Sequence, residues 1–212
     1  MKTDELILAL SADVRPRGPS LAVALAVAVT LGAIAAAIGM QLTLGIRPDV
    51  LAALGSPRFL FKFVETAALA VVAVRLAARM SRPSAELWSA EVGLFVPALL
   101  LFTAVVLELA SVPEAAWERR LVGTNWAVCL MAVPAFSLVP LGLLLWALRR
   151  GASESGALTG LVAGLAAGGI GAFFYAAHCP DDSPLFVAVW YTIAIAGVAG
   201  LGALLGARIL RW

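Results

Sequence analysis

One histidine and two cysteines, His178, Cys129 and Cys179, supply every imidazole and thiol in 212 residues. They form no CxxC pair, which excludes a disulfide scaffold and a structural zinc module. Charge is equally scarce at 13% of the chain, with Lys+Arg 15 against Asp+Glu 13 and a net charge of +2. No basic field therefore points to direct contact with nucleic acid. The chain has no phosphate-binding glycine loop, no HExxH, no Ser/His/Asp set and no haem-type histidine pair, which argues against an enzyme and against a resident cofactor. Vicinal cysteines, which a quinone-linked thiol oxidase needs, are also missing.

Apolar residues take the place of charge. They make up 62% of the chain, and the mean hydropathy is +0.99. Soluble domains stand near half apolar and a quarter charged, so a soluble fold of this size could not hide so much apolar surface. Lipid as solvent removes the difficulty. The alternating pattern of a membrane barrel is absent, and open sheet edges are not tolerated in lipid. The expected fold class is all-α: a polytopic six-helix transmembrane bundle preceded by a short amphipathic helix.

Runs long enough to span cover residues 21–44, 59–78, 92–109, 121–148, 157–177 and 185–207. The fourth contains Pro134 and Pro140 and is expected to tilt or kink there. The second carries Lys62, Glu65 and Arg75, which blurs its ends. Asp4, Glu5 and Asp13 ahead of the first run argue against a secretory signal. The chain thus divides into a segment 1–19 and a membrane domain 20–212.

Lysine and arginine in short loops set orientation. With the N-terminus in the cytoplasm, ten basic residues lie inside (Lys2, Arg15, Arg17, Arg75, Arg79, Arg82, Arg149, Arg150, Arg208 and Arg211) and five outside (Arg47, Arg58, Lys62, Arg119 and Arg120). That bias places both termini inside. In segment 1–19, Thr3 is a candidate N-cap with Asp4 and Glu5 in the first turn. Leu6, Ile7, Leu10 and Val14 recur at helical spacing on one face. So short a helix needs a surface: either membrane lipid or a groove on a soluble partner. Gly160, Gly164 and Gly168, four apart, and Gly202 with Gly206 predict close packing between the fifth and sixth helices.

Ionisable groups are costly in lipid, and here they share one layer. Lys62, Glu65, Glu108, Cys129, His178, Cys179, Asp181 and Asp182 all fall in the outer half, with Glu65 roughly 10 Å deep at 1.5 Å per residue. Lys62 and Glu65, three residues apart, are read as a local ion pair. Ser183 and Pro184 are expected to start the sixth helix as cap and first residue. Three readings of Cys129 and Cys179 stand side by side: a disulfide, a soft-metal site to which His178 adds an imidazole, or inert small hydrophobes.

The stretch His178-Cys179-Pro180-Asp181-Asp182-Ser183-Pro184, followed by Trp190-Tyr191, resembles the signature of the NrsF family of bacterial transmembrane anti-sigma factors. The opening Thr3-Asp4-Glu5-Leu6-Ile7-Leu8-Ala9-Leu10 is similar to that family's start. Arg58-Phe59 with Lys62, Pro140-Leu141-Gly142 and Arg149-Arg150-Gly151 also match its patterns. The resemblance implies a six-helix inner-membrane protein that holds an extracytoplasmic-function sigma factor inactive. It further implies that two cysteines, here Cys129 and Cys179, sense heavy metals or oxidants in a stress response, with a transient heavy-metal ion the only cofactor. The sigma-binding candidates are then Leu6, Ile7, Leu10 and Val14, and the polar residues of interest are Arg58, Lys62, Glu65, Glu108, Asp181 and Asp182. Two alternatives are a small ion-coupled transporter using Glu65 and Lys62, and a structural subunit of a membrane complex. The oligomeric state is left open.

Overall fold

A computed structural model describes Thr3, Glu5 and residues 18–82 and 92–211. Among the described residues all regular structure is helical. Leu6, Ile7, Leu10 and Val14 lie outside them, as does most of the loop after Arg82.

Helix α1, Leu21–Thr43, starts at Ser20, whose hydroxyl accepts from the Val23 amide at 3.3 Å. It stops at Gly45, whose φ of 71° carries the chain out of the helix while its amide returns to Met40 O, a closure that side chains with a Cβ resist. A one-turn helix α2, Val50–Ala53, leads to α3, Pro57–Met80, with proline in the first position, where its missing amide costs nothing. Helix α4, Phe95–Ser111, is followed by a 3-10 turn, Glu114–Ala116, and by α5, Trp117–Val122, bent 120° away from it. Then come α6, Trp126–Leu148, α7, Gly156–Tyr175, and α8, Pro184–Ile209. Within α8, Val187–Tyr191 form a π-turn.

One expectation is corrected and another is met in part. The expected fourth run, 121–148, is not one helix. Gly123 stands at φ 62°, so Leu121 and Val122 end α5, and α6 begins only at Trp126. Of the six expected spans a part is borne out. Among the described residues four helices, α1, α6, α7 and α8, are long and apolar enough to cross a membrane, or five if the bent α4–α5 pair is one span. Helix α3 has 24 residues but carries Arg58, Lys62, Glu65, Arg75 and Arg79. Helix α6 runs continuously through Pro134 and Pro140.

Helix α7 is the hub, packing on α8, α6, α3 and α1. Its glycines explain how. A Cβ at Gly164 would lie 2.6 Å from Ala199 Cα in α8; one at Gly169 would lie 3.0 Å from the Thr66 carbonyl in α3; one at Gly171 would lie 2.8 Å from the Val133 carbonyl in α6. Backbones therefore touch on three sides, which gives dispersion contacts that lipid cannot match. The expected tight packing of the two glycine stripes is borne out: Gly160 meets Gly202 and Gly206, Gly164 meets Gly202, and Gly168 packs on Ile195. The core divides along the bundle. One cluster, around Leu141, Leu144 and Ala163, lies toward the Arg149–Ser155 connection. The other, around Cys129, Tyr175 and Phe186, lies toward the His178–Ser183 connection. Large apolar side chains on α1 and α4, such as Leu42, Phe95 and Phe102, face outward, as a lipid-facing belt requires.

Candidate functional site

The His178–Ser183 connection gathers most of the polar side chains of the bundle. Its Cys179 carbonyl and Asp182 carboxylate are held by two cations from other elements. Lys62 Nζ of α3 lies 2.8 Å from Cys179 O and 2.7 Å from Asp182 Oδ1. Arg47 donates to Asp182 Oδ1 at 2.9 Å and to Cys179 O at 3.2 Å, and pairs with Asp49 at 2.7 Å. Phe59 sits under both, 5.3 Å from Lys62 Nζ and 5.5 Å from the Arg47 guanidinium, so the cations also meet a ring face. The hydrogen bond to Asp49 and the Asp182 charge hold the Arg47 pKa above its ordinary value despite burial. The same hydrogen bond holds the exposed Asp49 carboxyl below the usual range.

Asp181 turns the other way. Its carboxylate accepts from the amides of Thr124 at 3.0 Å and Asn125 at 2.8 Å. Those amides open α6, so a carboxylate from a distant loop caps the positive end of that helix. Asn125 in turn donates its side-chain amide to the Tyr175 hydroxyl at 2.9 Å. Glu108, buried near the end of α4, accepts from Arg58 at 2.7 Å, from Arg120 of α5 at 2.5 Å and from Ser183 at 3.3 Å. Ser183 also accepts from the Leu185 amide and Pro184 follows as the first helical residue, as the sequence predicts. His178 Nδ1 lies 3.0 Å from Gly45 O, and the Arg47 amide donates to Ala177 O. One short connection is thus bonded to the loop after α1 and to α3, α4 and α6.

Two thiols meet at this connection, Cys179 within it and Cys129 in α6. Cys129 of α6 and Cys179 are both fully buried and both free, in one cluster with Tyr175, Phe186, Val187 and Tyr191. Burial pushes the Cys179 thiol pKa up, with Lys62 acting partly against it. Such thiols react slowly until the cover opens.

Two site readings need correction. Lys62 and Glu65 are not paired: the ammonium is drawn up to Asp182, and Glu65 Oε2 is buried without a hydrogen-bond partner. The reason is that the loop offers Lys62 a carboxylate and a carbonyl together, which one neighbouring side chain cannot. The three-ligand metal set of Cys129, Cys179 and His178 is not assembled either. Among the described residues no three His, Cys, Asp or Glu side chains converge on a common point, because His178 is directed to Gly45 O. The structure does bring Lys62, Asp181, Asp182, Arg58 and Glu108 together. Arg47, Arg120, Thr124, Asn125 and Tyr175 join them without having been singled out. Arg47 was legible only as a basic residue in an outer loop, and nothing in its spacing announced the contact with Asp182.

Comparison with known proteins adds family evidence to this geometry. The sequence model described as "NrsF: Negative regulator of sigma F" matches residues 10–212. The anti-sigma-F factor NrsF of Caulobacter vibrioides is 32% identical, and the probable anti-sigma-F factor NrsF of Azospira oryzae is 30% identical, each alignment covering 100% of both chains. No solved structure matches.

Proposed function

The chain belongs to the NrsF family of negative regulators of sigma F, and from that membership we propose that it holds an extracytoplasmic-function sigma factor at the bacterial inner membrane and releases it on an outer-side signal. The observation that supports the release step is the position of the two thiols, buried at the connection that ties so many helix ends together.

In this reading α1, α3, α4, α6, α7 and α8 each cross the membrane, and both termini lie in the cytoplasm. Helix α3 is about 36 Å long at 1.5 Å per residue, and the burial of Lys62 and Glu65 inside the bundle removes the main objection to its crossing. The ten-to-five excess of basic residues on the inner side supports the orientation. The sigma factor docks on segment 1–19 through Leu6, Ile7, Leu10 and Val14.

The signal acts at Cys129 and Cys179. An oxidant takes two electrons from the pair while two protons leave and an S–S bond forms. A thiophilic metal ion instead displaces both protons and is held by the two thiolates. Either event draws Cys179 toward α6 and strains the Lys62 and Arg47 bonds to its carbonyl and to Asp182. Helix α3 carries the strain to its far end, where Ser81 O accepts from the Ala152 amide of the α6–α7 connection. A differential of about 2–3 kcal/mol between the two helix arrangements changes sigma affinity roughly 30- to 150-fold.

The test is co-purification with the sigma factor encoded beside the gene, using the full chain and a chain lacking residues 1–17. Capture by the full chain and loss on truncation support the reading and its contact surface. Capture by both moves the contact to the cytoplasmic loops. No capture of any candidate sigma factor refutes it.

A further inference from the structure

Helices α3, α4, α7 and α8 line a pocket of about 230 Å³, open on the side of the exposed Ala98, Thr192 and Ala196, that the thiol site does not use. Its wall is apolar apart from a few groups, with Leu101, Leu165 and Ile195 among the lining residues and Glu65 of α3 and Tyr191 of α8 also lining it. Glu65 is 7% exposed, and its Oε2 has no hydrogen-bond partner. Such an orphaned acceptor calls for an explanation. An acid in a membrane-spanning helix is either neutral or paired with a cation, and among the described residues no cation forms an ion pair with Glu65. Lys62, one turn away, is committed to Asp182 and Cys179 O. Thr66 offers no help, since its hydroxyl already donates to Lys62 O at 2.7 Å.

We propose that this cavity binds a small lipophilic cation, an ammonium on an aromatic or alkyl body, with Glu65 as its counter-ion. The apolar wall takes the body and the Glu65 carboxylate supplies the opposing charge. Two further features make the site more than a packing fault. Tyr191 closes the π-turn Val187–Tyr191, and single π-turns in helices mark functional positions. Val187 and Tyr191 belong both to the cavity wall and to the cluster around Cys129 and Cys179, so an occupant touches the residues that pack against the thiols.

The experiment uses the full chain in lipid nanodiscs with benzyltrimethylammonium as probe and its neutral isostere neopentylbenzene as control, binding being read by calorimetry and by saturation-transfer NMR. The cation is expected to bind the parent protein and to lose about thirtyfold or more in affinity in Glu65→Gln, while the isostere binds both equally. Ala98→Phe, which fills the cavity from α4 and leaves Glu65 in place, is expected to abolish binding of both. Equal affinity of the cation for the parent and Glu65→Gln overturns the proposal. So does absence of cation binding to the parent, which would assign the cavity to water, and so does binding that survives Ala98→Phe.

Discussion

Lys62→Met is the most informative single substitution in this bundle. Methionine keeps the length and apolar stem of the side chain, so packing on Phe59 changes little. The ammonium is lost, and with it a 2.7 Å pair to Asp182 and a 2.8 Å bond to the Cys179 carbonyl. Breaking a buried ion pair by removing one partner costs about 3–5 kcal/mol. Here Arg47 remains at 2.9 Å from Asp182 and 3.2 Å from the carbonyl, so the expected loss is smaller, about 2–4 kcal/mol. For a chain of this size that lowers the unfolding midpoint by roughly 5–10 °C, measured by fluorescence-monitored melting in detergent. A double-mutant cycle identifies the partner. Lys62→Met with Asp182→Asn is expected to cost less than the sum of the single changes, because each removes what the other leaves stranded. Lys62→Met with Glu65→Gln is expected to be additive. If the coupling appears with Glu65 instead, or if Lys62→Met melts within a degree of the parent, the clamp described here is wrong.

Three further outcomes follow from other parts of the structure. Gly164→Leu places a branched side chain where a single Cβ already falls 2.6 Å from Ala199 Cα; the bundle is expected to lose its monodisperse peak in size-exclusion chromatography, whereas Gly197→Ala, at a position with open space around it, leaves the peak intact. Cys129 and Cys179 are expected to resist maleimide at neutral pH in the native protein and to label fully in SDS, with Lys62→Met accelerating Cys179; rapid native labelling of both would contradict their burial. Asp49 has a folded pKa below its ordinary value through Arg47, so its contribution is present above the unfolded carboxylate range near pH 4 and fades as pH falls through the folded value; Asp49→Asn should flatten the acid limb of the melting curve over that window, and an unchanged limb would remove the pair from the account.

Much of the architecture was legible because the chain has so few charges to misplace. Apolar runs gave α1, α7 and α8 to within a few residues, and the scarcity of ionisable groups gathered Lys62, Glu108, Asp181 and Asp182 into one layer before any coordinates. The partners were not legible. Spacing along a helix favours Glu65 for Lys62, but a loop more than a hundred residues later offers two acceptors at once. Leu121 and Val122 read as the start of a span because their apolarity concealed the turn chemistry of Gly123-Thr124-Asn125, where a positive φ and a distant carboxylate decide the outcome. His178 read as a third metal ligand since sequence cannot say which way a ring faces. The π-turn at Val187–Tyr191 has no sequence signal that we recognise.

The glycines of α7 also govern how the bundle can move. Side chains between helices normally act as cushions, since a displaced neighbour is absorbed by a change of rotamer and dies away within a layer or two. Where Gly164, Gly169 and Gly171 bring backbone against backbone on three sides, there is no rotamer to change. A push at one end of α7 is therefore expected to travel as a slide or a turn of the helix rather than as side-chain repacking. In mechanical terms α7 is an axle on which α3, α6 and α8 bear backbone to backbone.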